Sequence, residues 1–565
     1  MERGPAELLS GELSCSPLLA RLLLRRGISD PEVARSFLRP KLLDLHDPFL
    51  LPGMEAATKR ILRAIRDRQR ITIFGDYDAD GVSSTALLSS FFRFIECPVS
   101  CRLPNRLVDG YGLSAAVVEE LASDGVELII TVDNGSSACE AVSAANRLGV
   151  DVVITDHHQP PDELPEASAL VNPWLPGSTY PFQDLAGVGV TFKLVWALAQ
   201  RFSRQTKLSP EFKTFLLDSL ALVAVGTISD VVPLLGENRA LAKFGLSALE
   251  RSQQAGLRHL AKAALQGRSE PLLAHHVAFR IGPRLNAAGR LGTPDTALRL
   301  LVTDSDEEAA EILAELDREN SKRREIERTI FEAAAEQVRA QVDLANTRAI
   351  VLGAPDWHSG VIGIVASRLV EAFYRPTLLF AMEDEECKGS ARSIPGVDLT
   401  AALATCHEHL IGYGGHEMAA GCRMAPYKLE AVRAQLNAAI PIAPEDMVPL
   451  VEADDRISLE ELTEATLEEL ALLGPYGQSN PVPTFALEDA EVVGRPRTMG
   501  ASGGHLAFHV RQDQAVRRAV AFGKGEFLPA VAQRGARVSL LLEAQLSRWQ
   551  GNVEVELNVQ DLRVL

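Results

Sequence analysis

Short apolar runs alternate with amphipathic stretches through the first half of the chain. Ile71-Thr72-Ile73-Phe74, Leu128 to Val132 and Val152-Val153-Ile154 have strand length, while Ser83 to Ile95 and Ser136 to Leu148 between them carry helical spacing. Strand alternating with helix predicts an α/β fold built on a parallel, doubly wound sheet. Such sheets bind ligands beyond the carboxyl ends of their strands, so the residues after each apolar run are the ones of chemical interest.

Farther along, Ser305 to Leu352 contains neither Gly nor Pro. Ser305 and Glu308 have capping-box spacing. Ile312, Leu313, Leu316, Ile326, Ile330 and Ala334 then recur near the helical period. One helix from Ser305 to about Val342 is expected, roughly 57 Å long, joining two lobes. Its heptads are too broken for a coiled coil, and Lys322-Arg323-Arg324 reads as a solvated face. A second α/β region spans Ala349 to Ile440, with strands expected at Ala349 to Leu352 and Pro376 to Phe380. Glu445 to Glu469 holds ten acidic residues and one basic, Arg456, and reads as a solvated helical linker. The final stretch, Glu491 to Leu565, has ten Lys/Arg against seven Asp/Glu. Its β-rich runs (His505 to Val510, Arg517 to Phe522, Arg537 to Leu542, Val553 to Val559) suit a small β-barrel.

Composition narrows the class. The 565 residues are 46% hydrophobic and 23% charged, ordinary for a folded protein of several domains. Seven scattered cysteines form no CxxC pair, which indicates neither a disulfide framework nor a thiolate zinc site. No signal peptide and no apolar run of membrane-spanning length is evident, so a cytoplasmic protein without membrane contact is expected. A net charge of −18 argues against a protein that coats nucleic acid nonspecifically. It is compatible with an enzyme that has a local basic channel and carboxylate-rich metal sites.

The chemistry follows the apolar runs. Gly75-Asp76-Tyr77-Asp78-Ala79-Asp80-Gly81 sets three carboxylates at alternate positions after the first run. An EF-hand also begins DxDxDG, but its twelfth position would be Leu87 where a bidentate Glu is required. Carboxylates this close repel one another unless a cation compensates. Val132-Asp133-Asn134-Gly135 follows the second run and Thr155-Asp156-His157-His158 the third. Thr227-Ile228-Ser229-Asp230 follows Leu220 to Val225, read as a fourth strand end. Carboxylates and imidazoles without thiolates suit Mg²⁺ or Mn²⁺, and their number suits two ions.

In this order the four motifs resemble the signature of the DHH phosphoesterase superfamily. The resemblance implies that Asp76 and Asp78 serve one ion, Asp80, His157 and Asp230 the other, and that Asp133 bridges. It places His158 against the scissile phosphate and gives Asp156 the task of orienting its neighbours. Other segments are similar to the RecJ branch. They are Pro104-Asn105-Arg106 with Gly110-Tyr111-Gly112, Gly282 to Arg290 (GPRLNAAGR), Trp357 to Gly363 (WHSGVIG), Ser390-Ala391-Arg392-Ser393, Gly414 to Gly421 (GGHEMAAG), and Gly474-Pro475-Tyr476-Gly477 with Asn480-Pro481.

The implied organisation is an N-terminal segment (1–50), a DHH domain (51–240), a helical region with the connecting helix (241–345), a DHHA1-like substrate-binding domain (346–442), and an acidic linker with an OB-type barrel (443–565). The implied activity is two-metal hydrolysis of single-stranded DNA, 5′ to 3′, releasing 5′ mononucleotides in repair and recombination. A single-strand-binding protein and a RecQ-type helicase are the implied partners, and a monomer is expected. Arg106, Arg280, Arg284, Asn286, Arg290, His358, Ser390, Arg392, Gly414, Gly415 and His416 are the substrate-binding candidates. Arg280, Arg284 and Arg290 could equally be internal ion pairs, and Glu383-Asp384-Glu385-Glu386 sits awkwardly close to a phosphate site at Arg392. Phe508, Phe522, Phe527 and Trp549 are the few aromatic residues available to the barrel for stacking. The rival readings are a phosphodiesterase for short oligonucleotides or cyclic dinucleotides and a non-catalytic nucleic-acid scaffold. A pyrophosphatase fits less well, since that branch opens on a His-based motif.

Overall fold

The computed structural model describes residues 3–105, 112–203, 208–268, 270–500, 503–549 and 552–565. Its first sheet contains β1 (Ile71–Phe74), β2 (Ser100–Arg102), β3 (Leu128–Val132), β4 (Asp151–Thr155) and β5 (Ala169–Val171). They lie in the order β2-β1-β3-β4-β5, every pair parallel. Alternate residues of β3 explain its unbroken apolar run. Leu128, Ile130 and Val132 enter one core with the helices Ala79–Phe94, Gly187–Ser203 and Pro210–Ser229. Ile129 enters another with Ala115–Ser123 and Cys139–Leu148. A strand covered on both faces is apolar almost throughout, and its one polar side chain, Thr131, is buried with its hydroxyl donating to the Asn134 carbonyl.

The expected fourth strand does not form. Leu220 to Val225 lies inside the helix Pro210–Ser229, and Asp230 is its C-cap. An apolar run of six residues does not separate a buried strand from a buried helix by periodicity. By length and apolarity this helix could cross a bilayer, but 61% of its apolar window is buried inside the protein, where it serves as a core helix.

The connecting helix spans Asp306–Gln341, 36 residues or about 54 Å. Ser305 caps it by accepting from the Glu308 N–H at 3.2 Å. The reciprocal half of the capping box is not made, because the Glu308 carboxylate takes the Thr303 hydroxyl and Arg299 instead. Within the basic cluster Arg323 is buried, bonded to Asn320 and to Glu327 at 2.6 Å, so that part of the triplet is not a solvated face. Glu327 also pairs with Arg368 of the helix Ile362–Phe373.

The second sheet contains β6 (Ile350–Ala354), β7 (Thr377–Ala381), β8 (Cys387–Arg392), β9 (Gly412–His416) and β10 (Ala419–Met424), in the order β6-β7-β8-β10-β9. The terminal barrel contains β11 (Asp455–Arg456), β12 (Phe485–Met499), β13 (His505–Gln512), β14 (Ala515–Ala521), β15 (Arg537–Trp549) and β16 (Asn552–Val564). Pairing of β12 with β15 closes five of these strands into a ring, with β11 added beside β12.

The acidic stretch is not a solvated helical linker. Leu459, Leu462, Leu467 and Leu470 are buried in the barrel's core, which also takes in Leu18, Leu19, Leu22, Leu23 and Leu38 of the N-terminal helices. Four of its ten carboxylates, Glu452, Asp455, Glu461 and Glu469, bond to those helices or their caps. Arg21 pairs with Asp455 and with Glu461, and Glu469 accepts from the Ser16 N–H at 2.8 Å. The charge run is thus half of an interface whose other half lies some 430 residues earlier in the chain.

Candidate active site

Asp76, Asp78 and Asp80 occupy the turn from β1 into the helix Ala79–Phe94. Asp78 is the N-cap, its Oδ1 accepting from the N–H groups of Asp80 and Gly81 at 3.0 Å each. The turn is tight, since a Cβ on Gly81 would lie 2.6 Å from the backbone of Asp76. Asp80 is buried, and both of its oxygens accept from a helix N-terminus, Gly187 N–H at 2.7 Å and Val188 N–H at 2.9 Å. Burial and the neighbouring Asp78 still push it up to about 7.

Asp133 ends β3 with a left-handed backbone, φ 64°, which turns its carboxylate over the sheet edge. Asn134 secures that bend by donating to the Val132 carbonyl at 2.9 Å. Burial, followed by Asp80, Asp78, Asp230 and Asp76, raises Asp133 well above the usual carboxylate range. Asp230 is raised by burial and then by Asp80, Asp78 and Asp76.

His157 projects into the same space, its Nε2 3.1 Å from Asp133 Oδ1 and 3.6 Å from Asp230 Oδ2. Burial lowers it to about 4, so its ring is a neutral donor of a lone pair. Asp156 faces the other way. It accepts from the Ser136, His157 and His158 N–H groups and from His158 Nδ1 at 2.8 Å. Burial raises Asp156, but the His158 hydrogen bond and charge outweigh it and hold the carboxyl at about 2. Burial would lower His158, and the bond to Asp156 more than offsets this.

The donor set fits divalent cations. Ligand atoms of Asp76, Asp78 and Asp133 lie within 4.8 Å of one another, as do those of Asp80, His157 and Asp230, and those of Asp133, His157 and His158. Asp133 Oδ1 and His157 Nε2 are buried without a hydrogen-bond partner among the described residues. Carboxylates this crowded, with oxygens and an imidazole nitrogen left over, call for positive charge between them.

Glycines whose part the sequence does not reveal make the crowding feasible. A Cβ on Gly187 would sit 2.3 Å from Asp133 Oδ1, and one on Gly226 2.5 Å from Asp80 Oδ1. Asn172 is likewise unforeseen. It donates to Ser136 Oγ and to the His158 carbonyl, bracing the loop that carries both histidines. No local pattern marks these residues, because each acts on an element remote in sequence.

A second site adjoins the first. A cleft of about 380 Å³ is lined by Arg290, Lys388, Ser390, Arg392 and backbone at Gly360, Gly363, Gly389, Gly415 and Gly421. Lys388, Ser390 and Arg392 alternate along β8 and so share one face. Lys388 is an addition to the expected set. The acidic run 383–386 precedes β8 at its far end, about 20 Å of strand from Arg392, which removes the conflict with a phosphate there.

The remaining candidates divide. His358 Nδ1 accepts from the Gly360 N–H at the cleft's edge. Gly414, Gly415 and His416 form an edge strand rather than an anion-binding turn, and of the three only Gly415 lines the cleft. Asn286 accepts from the Ala79 N–H at 2.7 Å and so holds the metal-site loop. Arg284 is an internal ion pair with Asp317 at 2.7 Å, and Arg280 donates to the Ala264 carbonyl. Arg106, with Gly110 and Tyr111, lies outside the described residues, as does the side chain of Trp549. On the barrel Phe508 is core, Phe527 packs against that core, and Phe522 is 60% exposed against His505.

Fold and site together define a metal-dependent phosphoesterase. Residues 70–227 match the DHH family, N-terminal domain, residues 346–441 the DHHA1 domain, and residues 453–561 the RecJ OB domain. A single-stranded-DNA-specific exonuclease RecJ of Bacillus subtilis is 39% identical over 560 residues, 98% of this chain and 69% of that protein. Two solved structures of RecJ from Thermus thermophilus, one with Mn²⁺ and one with Mg²⁺, match all of this chain. They superpose at TM-scores of 0.84 and 0.78 with 34% and 32% identity, this chain spanning 78% and 77% of theirs. The chain belongs to the RecJ family.

Proposed function

We infer that this chain is a single-stranded-DNA-specific exonuclease that removes 5′ mononucleotides in the 5′-to-3′ direction. The observation that carries this reading is the coupling of a cationic cleft to the carboxylate nest by one helix, Gly282–Leu291. Gly289 approaches the Tyr77 carbonyl of the metal-site loop so closely that a Cβ would lie 2.5 Å from it. Arg290, the next residue, lines the cleft and donates to the Gly360 carbonyl at 2.8 Å. A strand end held in the cleft therefore lies beside the hydrolytic centre, the geometry of an exonuclease. Membership of the RecJ family, whose Bacillus subtilis relative is a single-stranded-DNA-specific exonuclease, supports the substrate, and the family resemblance supports the polarity.

The residues divide the work. Asp76, Asp78 and Asp133 would hold one Mn²⁺ or Mg²⁺, and Asp80, Asp133, His157 and Asp230 the other. When bound, these ions supply positive charge to the phosphate and lower the pKa of the attacking water. Asp156 fixes the His158 ring by accepting from its Nδ1, and we place His158 against the scissile phosphate. Arg392, with Ser390 Oγ 3.2 Å from its Nη1, offers a guanidinium fork and a hydroxyl to the terminal phosphate. The barrel supplies strand affinity, which a phosphodiesterase for dinucleotides would not need. We further propose a monomer in the cytoplasm working with a single-strand-binding protein and a RecQ-type helicase.

Digestion of end-labelled single strands, duplexes and dinucleotides with Mn²⁺ or Mg²⁺ tests the reading. Mononucleotide release from the 5′ end of single strands is expected. Cleavage confined to dinucleotides, or starting at the 3′ end, would overturn it.

A further inference from the structure

An exposed aromatic residue, Phe279, lies on the helical segment that leads into the helix Gly282–Leu291. Residues 274–291 form a continuous helix whose second segment, Val277–Ile281, is π-helical. A π-helical turn shifts the register of the side chains that precede it and recurs at functional sites. Here Val277 and Ile281 point into the core, and Phe279 between them is 72% exposed. Among the described residues Phe279 is the most exposed phenylalanine.

Its neighbours along the helix say which surface it meets. Positions 279, 283, 286 and 290 fall on one helical stripe, spaced four, three and four residues apart. Asn286 on that stripe holds the metal-site loop at Ala79, and Arg290 lines the cationic cleft. One turn before Asn286, Gly282 fits against Ser229, the residue next to Asp230, so closely that a Cβ would lie 2.7 Å from Ser229 Oγ. The helix therefore runs from the cleft, past the carboxylates, to Phe279. Eleven residues separate Arg290 from Phe279, about 16 Å of helix.

We propose that Phe279 is a stacking platform for a base of the DNA strand on the 3′ side of the scissile phosphate. This rests on the exonuclease reading: with the 5′ end anchored at Arg290 and Arg392, the strand leaves the metal site along this helix toward Phe279. A flat, exposed ring accepts any base by its π-face, which suits a nuclease without sequence preference. Phe279 contacts no reacting atom and acts as a positioning residue, holding the incoming strand in line.

The test compares wild type with Phe279→Ala, Phe279→Leu and Phe279→Trp in the full chain, on long oligothymidylate and on a 5′-phosphorylated dinucleotide too short to reach the ring. Loss of one stacked base raises KM for the long strand about tenfold in the Ala and Leu proteins. The Trp protein restores it, and dinucleotide turnover stays at wild-type level in all three. Strands with a single abasic position, moved stepwise from the 5′ end, should show one position that weakens wild type and leaves Phe279→Ala unaffected. Unchanged KM on long strands, or an equal loss on the dinucleotide, would overturn the proposal. Wild-type protein that leaves single strands intact would instead overturn the exonuclease reading itself.

Discussion

At the scale of single residues, the site depends on carboxylates that only a cation makes tolerable. Asp133 belongs to two of the three candidate ligand groups, so Asp133→Asn should abolish hydrolysis, a loss of about a thousandfold or more, while the fold persists. Turnover assays on folded protein, checked by circular dichroism, decide this. The glycines give a second expectation. Gly187→Ala places a methyl group 2.3 Å from Asp133 Oδ1, which must move, so Mn²⁺ affinity measured by calorimetry should fall along with activity. At the cleft, Arg392→Ala should cost about 10- to 100-fold in kcat/KM on 5′-phosphorylated strands and much less on 5′-hydroxyl strands, since a charge-assisted hydrogen bond is lost only on the former. Equal losses on both would show that Arg392 does not read the end. Asp76, Asp78, Asp80, Asp133, the two histidines and Asp230 are all legible in the sequence as candidates, because their residue types follow apolar runs at set spacing, and the structure gathers them in one place. Gly187, Gly226 and Asn172 are not, because their contribution is room or a brace for a partner distant in the chain.

At the scale of elements, the connecting helix is more than a spacer. Glu327 is bonded on one side to the buried Arg323 and on the other to Arg368 of the helix Ile362–Phe373, tying the helix to the second lobe. Glu327→Gln leaves Arg323 buried with a weaker partner. A loss of about 1–3 kcal/mol in unfolding free energy is expected, read as a lowered denaturation midpoint. Glu332→Gln nearby serves as the control, since its pair with Arg328 is exposed. The helix itself was legible from its Ser305 cap and the long absence of Gly and Pro. The burial of Arg323 was not, because a basic triplet looks the same whether one member turns inward or all face water. The run Leu220 to Val225 shows the complementary limit: a short apolar stretch predicts burial, and the tertiary packing makes it helix.

At the scale of the whole molecule, the N-terminal helices, residues 3–38, and the barrel form one unit. Arg239 is fully buried and donates to the carbonyls of Phe37, Leu472 and Gly474, joining the N-terminal helices, the barrel and the phosphoesterase domain at one guanidinium. A chain ending near Ile440 would leave the apolar faces of Leu18, Leu19, Leu22 and Leu23 uncovered and should aggregate. Removing residues 1–39 as well, with Arg239→Met, should restore solubility. That shortened protein should still cleave dinucleotides but bind long strands more weakly, with a flatter dependence on salt because fewer counterions are released. Long-strand affinity unchanged at every salt concentration would deny the barrel a part in DNA binding.

By itself the sequence determined the parallel α/β class and three strands of the first sheet, the connecting helix, four strands of the barrel and the side chains that gather in the candidate metal site. Each of these is encoded locally, by periodicity, a cap, or carboxylates at set spacing after an apolar run. Only the tertiary structure decided what acidic residues 445–469 do, which arginines are tied up internally, and which helix joins cleft to carboxylates. Those outcomes depend on contacts between segments far apart in the chain, and a charged residue's local sequence is the same whether its partner is water, a backbone carbonyl or a phosphate.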